Sequence, residues 1–423
     1  MSCTRSWVML AALALPLPPA TAWAQHEHGE SASPPPASGT AWLPGAAPQR
    51  GYHTTLGSWA VMVHGSVFVQ FVRAFGTRGD YQLGSVNWFM ADARRPLAAG
   101  TVGVRLMASA EVLTVTERGY PQLLQVAEPY RGETLNDRMH PHELLSEAAV
   151  TYERGVAGNL RASLYLAAVG EPALGPVAYM HRPSAADEPA APLGHHAEDG
   201  AHTTFGVATF GLFTRRARFE GSVFNGAHPD DVRTNLDYAG ARLNSYAARL
   251  TVNPSAQWSV AGSAGYIAAS GGSHAHGALH RYGLALLHSA PRGGGGGTWS
   301  TALIWGANVP TDTRRVLHAL LLESDFELDR QNVIFGRVEY VRRTAQDLAL
   351  VGSVSPELDV GAVSLGYVRE VWSVGRTSAR LGLQGKAHLI PEELRLFYGS
   401  RTPLALTAYL QILPPLVMAS LGR

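Results

Sequence analysis

The chain has 423 residues and is almost neutral, with 34 Lys and Arg against 33 Asp and Glu and no basic block that would gather phosphates, which excludes nucleic acid as a partner. Charged residues make up 16 % of it, below the roughly 25 % of an ordinary soluble domain, while hydrophobic content is 46 %. No charge-free run of about twenty apolar residues follows the amino-terminal region, which argues against helical membrane spans, and the single cysteine, Cys3, leaves no disulfide, thiolate or Cys-type zinc chemistry for a processed chain.

Residues 1–24 read as a secretory signal peptide: Arg5, an apolar run from Trp7 through Leu17, then small residues at Ala22 and Ala24 before a mature start near Gln25. Residues 25–57 follow as a periplasmic linker and barrel entry. Its Pro-, Ser- and Ala-rich part, from His26 to about Pro48, is expected to be disordered.

From residue 58 to 423 the dominant period is two. Trp59, Val61, Val63, Gly65, Val67, Val69 and Phe71 form one face of the first segment, against His64, Ser66 and Gln70 on the other. Similar segments are centred near Gly65, Trp88, Leu106, Ala149, Leu164, Ala208, Gly221, Tyr246, Ala264, Leu284, Leu303, Leu320, Arg337, Leu365, Leu383 and Leu406. Their number is even and several run for about ten residues, the length of a tilted membrane crossing. The expected fold is all-β: a transmembrane antiparallel up-and-down barrel of about 16 strands (range about 14–18).

Connections alternate between tight and long. Tight ones are expected near Arg95, Gly155, Arg215, Pro254, Gly295, Asp329 and Gly375, and longer ones near Gly79, Glu128, Pro189, Asp230, His274, Pro310, Ser353 and Leu394. Short periplasmic turns and long external loops make that rhythm, which puts both termini in the periplasm. Trp59, Trp258, Trp299 and Trp372 fall at strand ends on the short-turn side, as a periplasmic aromatic girdle would. The last strand, with Leu404, Leu406, Ala408, Leu410 and Ile412 on one face, is expected to end before Pro414.

Arg or Lys on the lipid face at mid-membrane costs about 2–4 kcal/mol, so strand charges should turn inward. Arg105, Glu111, Arg161, Arg218, Glu220, Arg337, Glu339, Arg380 and Lys386 are the expected pore-lining residues, acting either as a solute-selecting eyelet or as salt bridges that brace the wall.

All 17 histidines follow residue 25. His140 and His142 stand in DRMHPHE beside Asp137 and Glu143, and His181, His195, His196 and His202 share the next long loop with Glu198 and Asp199. Imidazoles with carboxylates suit a divalent zinc, copper or nickel ion. The structural alternative is that these side chains only hydrogen-bond within their loops, for His140 and His142 through Asp137 and Arg138. His274 with His276, and His26 with His28 in the tail, form further pairs.

At DRMHPHELL, MHRPSAADEPAAPLGHH and FTRRARFEGSVFNGAHPDD, the chain resembles a family of uncharacterised bacterial exported proteins that look like outer-membrane barrels, over about Trp42 to near the carboxyl end. The resemblance implies the fold and the outer-membrane address and carries no activity. No nucleophile elbow, Walker loop or zinc-protease helix is present. The leading expectation is a porin-like channel for small solutes or ions, with the external His loops offering a link to a divalent metal. The alternatives are a non-conducting metal-binding or structural barrel and an outer-membrane hydrolase. Expected partners are outer-membrane lipid, the barrel-assembly machinery, and small solutes or metal ions.

Overall fold

A computed structural model of the chain describes residue 35 and residues 37–417, apart from 228, 239–241, 269–276, 294–296, 353 and 376. The expected signal peptide, His26, His28, His274, His276 and the turns at Gly295 and Ser353 lie outside the described residues.

Sixteen antiparallel strands close into one barrel. The first quarter comprises β1 (Trp59–Ala74), β2 (Tyr81–Leu97), β3 (Gly100–Ala108) and β4 (Leu145–Ala157). Next come β5 (Leu160–Gly170), β6 (Thr204–Phe213), β7 (Ala217–Asn225) and β8 (Leu243–Ser255). The second half begins with β9 (Trp258–Ile267), β10 (Leu279–Pro291), β11 (Thr298–Pro310) and β12 (Leu317–Glu327). It ends with β13 (Asn332–Thr344), β14 (Glu357–Val374), β15 (Thr377–Leu389) and β16 (Leu404–Leu413). Every expected centre falls inside its strand. Three expected tight turns, at Arg95, Gly155 and Pro254, lie within strands that continue to turns a few residues later, where Ala98 and Gly158 take the positive φ (52° and 53°) that reverses the chain.

Each strand pairs with its chain neighbours, and β16 returns to β1, with Ile412 opposite Val67 and Ala405 opposite Ala74. That pairing covers only the later part of β1. Its earlier part, Trp59–Val63, is paired by the short strand Tyr52–Leu56. Amides that would otherwise face lipid unpaired are thereby satisfied. The closing strand stops at Leu413, before Pro414, and Leu416 and Val417 then pair with Arg50 and Gln49 at the short-turn rim.

The two faces sort as the period demands. Val69, Phe71, Leu106, Leu166, Phe219, Leu303, Leu322, Leu365 and Leu383 are exposed around the outside of the wall, an apolar belt for lipid contact. Trp258, Trp299 and Trp372 are exposed at the short-turn rim, with the His288 ring between the first two at 4.5 and 5.4 Å. Eight of the nine expected bore charges sit on strands and turn inward: Arg105, Arg161, Arg218, Glu220, Arg337, Glu339, Arg380 and Lys386. Glu111 also lies inside the bore, but on a helix and not on the strand that the alternation suggests. β3 ends at Ala108, the Asn87 side chain accepts from the Ala110 amide (2.8 Å) and Ser109 Oγ from that of Glu111 (3.1 Å), and the chain turns inward into the helix α1 (Glu111–Thr114).

Three segments fill the bore. Residues 37–47 enter from the short-turn rim, so the later part of the stretch expected to be a disordered linker is instead packed inside the barrel. Trp42 meets the Phe213 ring edge-on at 5.9 Å with the Arg218 guanidinium 5.7 Å away, Thr40 accepts from Arg249 (3.0 Å), and the Leu43 carbonyl accepts from Asn253 (2.9 Å). Wall residues far along the chain supply every one of these contacts, and no local pattern in the segment announces them. The second filling segment is the β3–β4 connection, residues 109–144; the third is the β5–β6 connection, residues 171–203.

Ion pairs hold the third segment. Arg182, fully buried, reaches Glu323 on β12 (2.6 Å) and Asp199 in its own loop (3.0 Å). Asp187 meets Arg380 (2.5 Å), Glu188 meets Arg337 (3.3 Å), and Lys386 fixes Glu339 (2.7 Å), which also accepts from the Leu193 amide. The inward strand charges therefore brace the in-folded loop as well as the wall.

Removing one partner of such a buried pair leaves the other charge uncompensated, so Arg182→Ala is expected to cost about 3–5 kcal/mol; urea unfolding in lipid vesicles measures it, and a cost below about 1 kcal/mol would show that Arg182 does not hold the loop. On the outside, Leu303→Arg is expected to lower stability by about 2–4 kcal/mol in the same assay. An unchanged midpoint would mean that β11 does not face lipid there.

Candidate functional site

Near the long-loop rim the two in-folded connections meet, and the helix α2 (His195–Glu198) lies directly against the wall. Gly306 on β11 permits that approach, since a Cβ there would stand 2.4 Å from the Ala197 carbonyl oxygen. The His196 carbonyl at the end of this short helix accepts from Arg281 (2.7 Å) and Asn308 (3.0 Å), which fixes the helix on the wall.

Opposite α2, the 109–144 connection brings His140 and His142. His140, His142, His195, His196 and His202 then line one small cavity, with Glu143 and Arg233 at its side. Neighbouring rings run His142–His202 (5.4 Å), His202–His195 (4.9 Å), His195–His196 (5.3 Å) and His196–His140 (6.1 Å) between centroids. The cavity adjoins a larger vestibule, and His196, Gly200 and Thr203 line both.

Four of the five rings are oriented by one nitrogen. His142 Nδ1 is 2.9 Å from Glu111 Oε2, which also accepts from the His142 amide (2.9 Å). His195 Nδ1 is 2.6 Å from Asp199 Oδ1, His202 Nδ1 is 2.9 Å from the Asp199 carbonyl, and His140 Nδ1 is 2.9 Å from the Pro141 carbonyl. An Nδ1 that donates to an acceptor leaves the lone pair on Nε2, the arrangement found behind metal-bound histidines. Burial favours the neutral form of two of these rings. It pushes His140 well below the ordinary histidine range, and it takes His202 down to about 3 with the nearby His195 and His142 adding to the effect. Burial acts on His142 in the same direction, but the Glu111 carboxylate outweighs it and raises that ring.

Glu128 completes a smaller set within this cluster. Its Oε1 lies 3.5 Å from His140 Nε2 and 3.7 Å from His196 Nε2, and one donor atom from each of the three residues falls within 4.8 Å of the others. Two nitrogens on one tetrahedral zinc are about 3.3 Å apart, given Zn–N bonds of about 2.0–2.1 Å, so side-chain shifts of about an ångström would close these donors on an ion. Arg233 holds the other Glu128 oxygen (3.1 Å) and Glu143 (2.8 Å). Burial raises Glu143 to about 7 against the pull of that guanidinium.

Of the six histidines singled out in the sequence, five meet here. His181 does not: it lies beside Trp88 and His64. Neither His140 nor His142 anchors through Asp137 or Arg138, because Asp137 pairs with Arg78 (2.5 Å) and Arg138 with Asp80 (2.6 Å). Glu128 and Arg233 were not legible as site residues, and Glu111 was legible only as a pore-lining charge, not as a partner of His142. Glu128 and Arg233 are ordinary loop charges in the sequence, and only the meeting of residues 109–144, 171–203 and the β7–β8 connection brings them to the histidines.

No family model matches the chain, and no curated protein matches it. Among solved structures, the barrel is similar to an anion-selective porin from Comamonas acidovorans, with a TM-score of 0.52 at 10 % identity over 84 % of this chain and 99 % of that one. It is also similar to OmpF of Salmonella typhi in complex with daunomycin, at 0.51 and 8 % over 85 % and 100 %. The high-pH structure of OprB from Pseudomonas putida gives 0.50 and 11 % over 84 % and 94 %. At such identities the likeness is one of fold. With its closed wall and apolar outer belt, the chain is a bacterial outer-membrane β-barrel.

Proposed function

We propose that the protein is a porin-like channel that takes up a divalent transition-metal ion from the outer vestibule, with the in-folded histidine cluster as its binding and selecting station. The observation that carries this reading is the convergence of five imidazoles from two loops on one cavity, four of them oriented through Nδ1. Neutral imidazoles with one carboxylate favour zinc, copper or nickel over the hard cations, which prefer oxygen. Glu128 supplies a negative charge toward offsetting that of the ion, and Glu111 and Asp199 act behind the ligands by fixing the rings.

A second reading, a metal-binding barrel that does not conduct, is favoured by the filling of the bore by residues 37–47, 109–144 and 171–203. Both readings need the metal site; they differ in whether ions cross.

Calorimetry of the detergent-solubilised protein with zinc, copper and nickel is expected to show a binding event that His140→Ala/His196→Ala weakens beyond detection. Equal binding in parent and variant would remove the site. Glu111→Gln, which keeps one acceptor oxygen for the Asn87 and His142 amides but removes the charge behind the His142 ring, is expected to weaken binding by about 10–100-fold; an unaltered affinity would mean that His142 is not a ligand.

In planar bilayers a conducting protein is expected to give currents that zinc in the outer compartment reduces and a chelator restores. Absence of current under all salts and voltages, with metal binding intact, would replace the channel by the non-conducting reading.

A further inference from the structure

A second group of metal-ligating side chains lies away from the histidine cluster, on the wall of β1 and β2. His64 faces the bore from β1, and Met90, 2 % exposed, stands directly opposite it on β2. Trp88, two residues earlier on the same face of β2, meets the His64 ring edge-on at 5.2 Å. From the in-folded β5–β6 connection comes His181, at the end of the short 3-10 turn Tyr179–His181. Its ring is 4.4 Å from that of Trp88 and 6.0 Å from that of His64.

The two imidazoles are unsatisfied in the same way. Among the described residues, neither His64 Nε2 nor His181 Nε2 has a hydrogen-bond partner, and both atoms are buried. One such atom in a folded protein calls for an explanation, and two on neighbouring rings call for a common one. A shared ligand that accepts two nitrogen lone pairs supplies it.

Charge decides the class of ligand. The carboxylate nearest along β2, Asp92, is engaged by Arg94 (2.7 Å) and Arg105 (2.8 Å). The donors left are therefore neutral: two imidazoles, the thioether on the opposing strand, and the face of an indole. A divalent ion buried among neutral groups keeps an uncompensated double charge, whereas a soft monovalent ion costs far less to desolvate and gains from the indole face. Thioether with imidazole is also the donor set that selects copper(I).

We infer that His64, His181 and Met90, with Trp88 packed beside them, form a binding site for a soft monovalent metal ion, copper(I), in the bore. It shares no residue with the cluster of His140, His142, His195, His196 and His202, so it stands or falls separately from the function proposed above. No electron transfer is involved, because the ion binds in the oxidation state in which it arrives.

Silver(I), a redox-inert ion of the same charge and softness, is the probe. Titrated into the full detergent-solubilised chain, it is expected to bind by equilibrium dialysis and to quench a discrete part of the tryptophan fluorescence. His64→Gln and His181→Gln are each expected to weaken that binding by at least about tenfold. Trp88→Phe is expected to abolish the quenching while silver still binds, and His140→Ala/His196→Ala to leave the quenching unchanged. Equal silver binding in the parent and both glutamine variants would overturn the inference. So would quenching that survives in Trp88→Phe, or quenching lost in His140→Ala/His196→Ala. Should a glutamine variant not fold, the parent and Trp88→Phe titrations decide alone. Full displacement of silver by equimolar zinc would overturn the monovalent assignment.

Discussion

A guanidinium or carboxylate on a strand that crosses a membrane has one tolerable direction, inward, and once there it must be paired. In this barrel that constraint fixes far more than the wall. Glu323 on β12 receives Arg182 from the in-folded loop and Arg337 from β13, at 2.6 and 3.0 Å. Arg337 in turn takes Glu188 from the same loop, and Arg249 on β8 joins Glu220 at 3.1 Å while donating to Thr40 of the amino-terminal segment. The strand charges form sockets and the filling segments carry the complementary plugs. With those sockets empty Arg380 would lose Asp187, Arg337 would lose Glu188 and Glu323 would lose Arg182, so loop placement and wall stability are coupled energetically.

This explains which parts of the structure the sequence displayed. A residue on a strand meets either lipid or the bore, and the choice reverses at each step, so alternations such as Val69 and Phe71 against Gln70 mark each crossing directly. All sixteen strand centres follow from that local rule. The contacts of residues 37–47 follow from no local rule: an Ala- and Pro-rich stretch reads as linker unless Arg249, Asn253 and Phe213 are known to be waiting for it. Glu111 illustrates the opposite error. Alternation continued past Ala108 through Val112, but the Asn87 side chain captures the Ala110 amide and turns the chain out of the wall.

The histidines were visible as a residue type in loops, and their grouping was half visible. HPH and GHH each place neighbours a residue or less apart, yet what makes a site is the meeting of two connections in the bore. His181 belongs to the same loop as His195 and His202 and still points elsewhere: its ring lies against Trp88 and His64 on β2 and β1, while the adjacent Arg182 is held by Glu323 on β12. The ring orientations depend on acceptors that no spacing rule would have found, Glu111 for His142 and the Asp199 carbonyl for His202.

The two-residue ladder between Gln49–Arg50 and Leu416–Val417 joins the earliest described strand to the last. It lies beside the seam where β16 meets β1, so the segment at residues 37–47 is tethered at its base to both sides of that seam. The seam of the wall and the base of the cork at its inner mouth are thus held by adjacent ladders. A fluorophore placed on either flank of that ladder would report both from the same side of the bilayer.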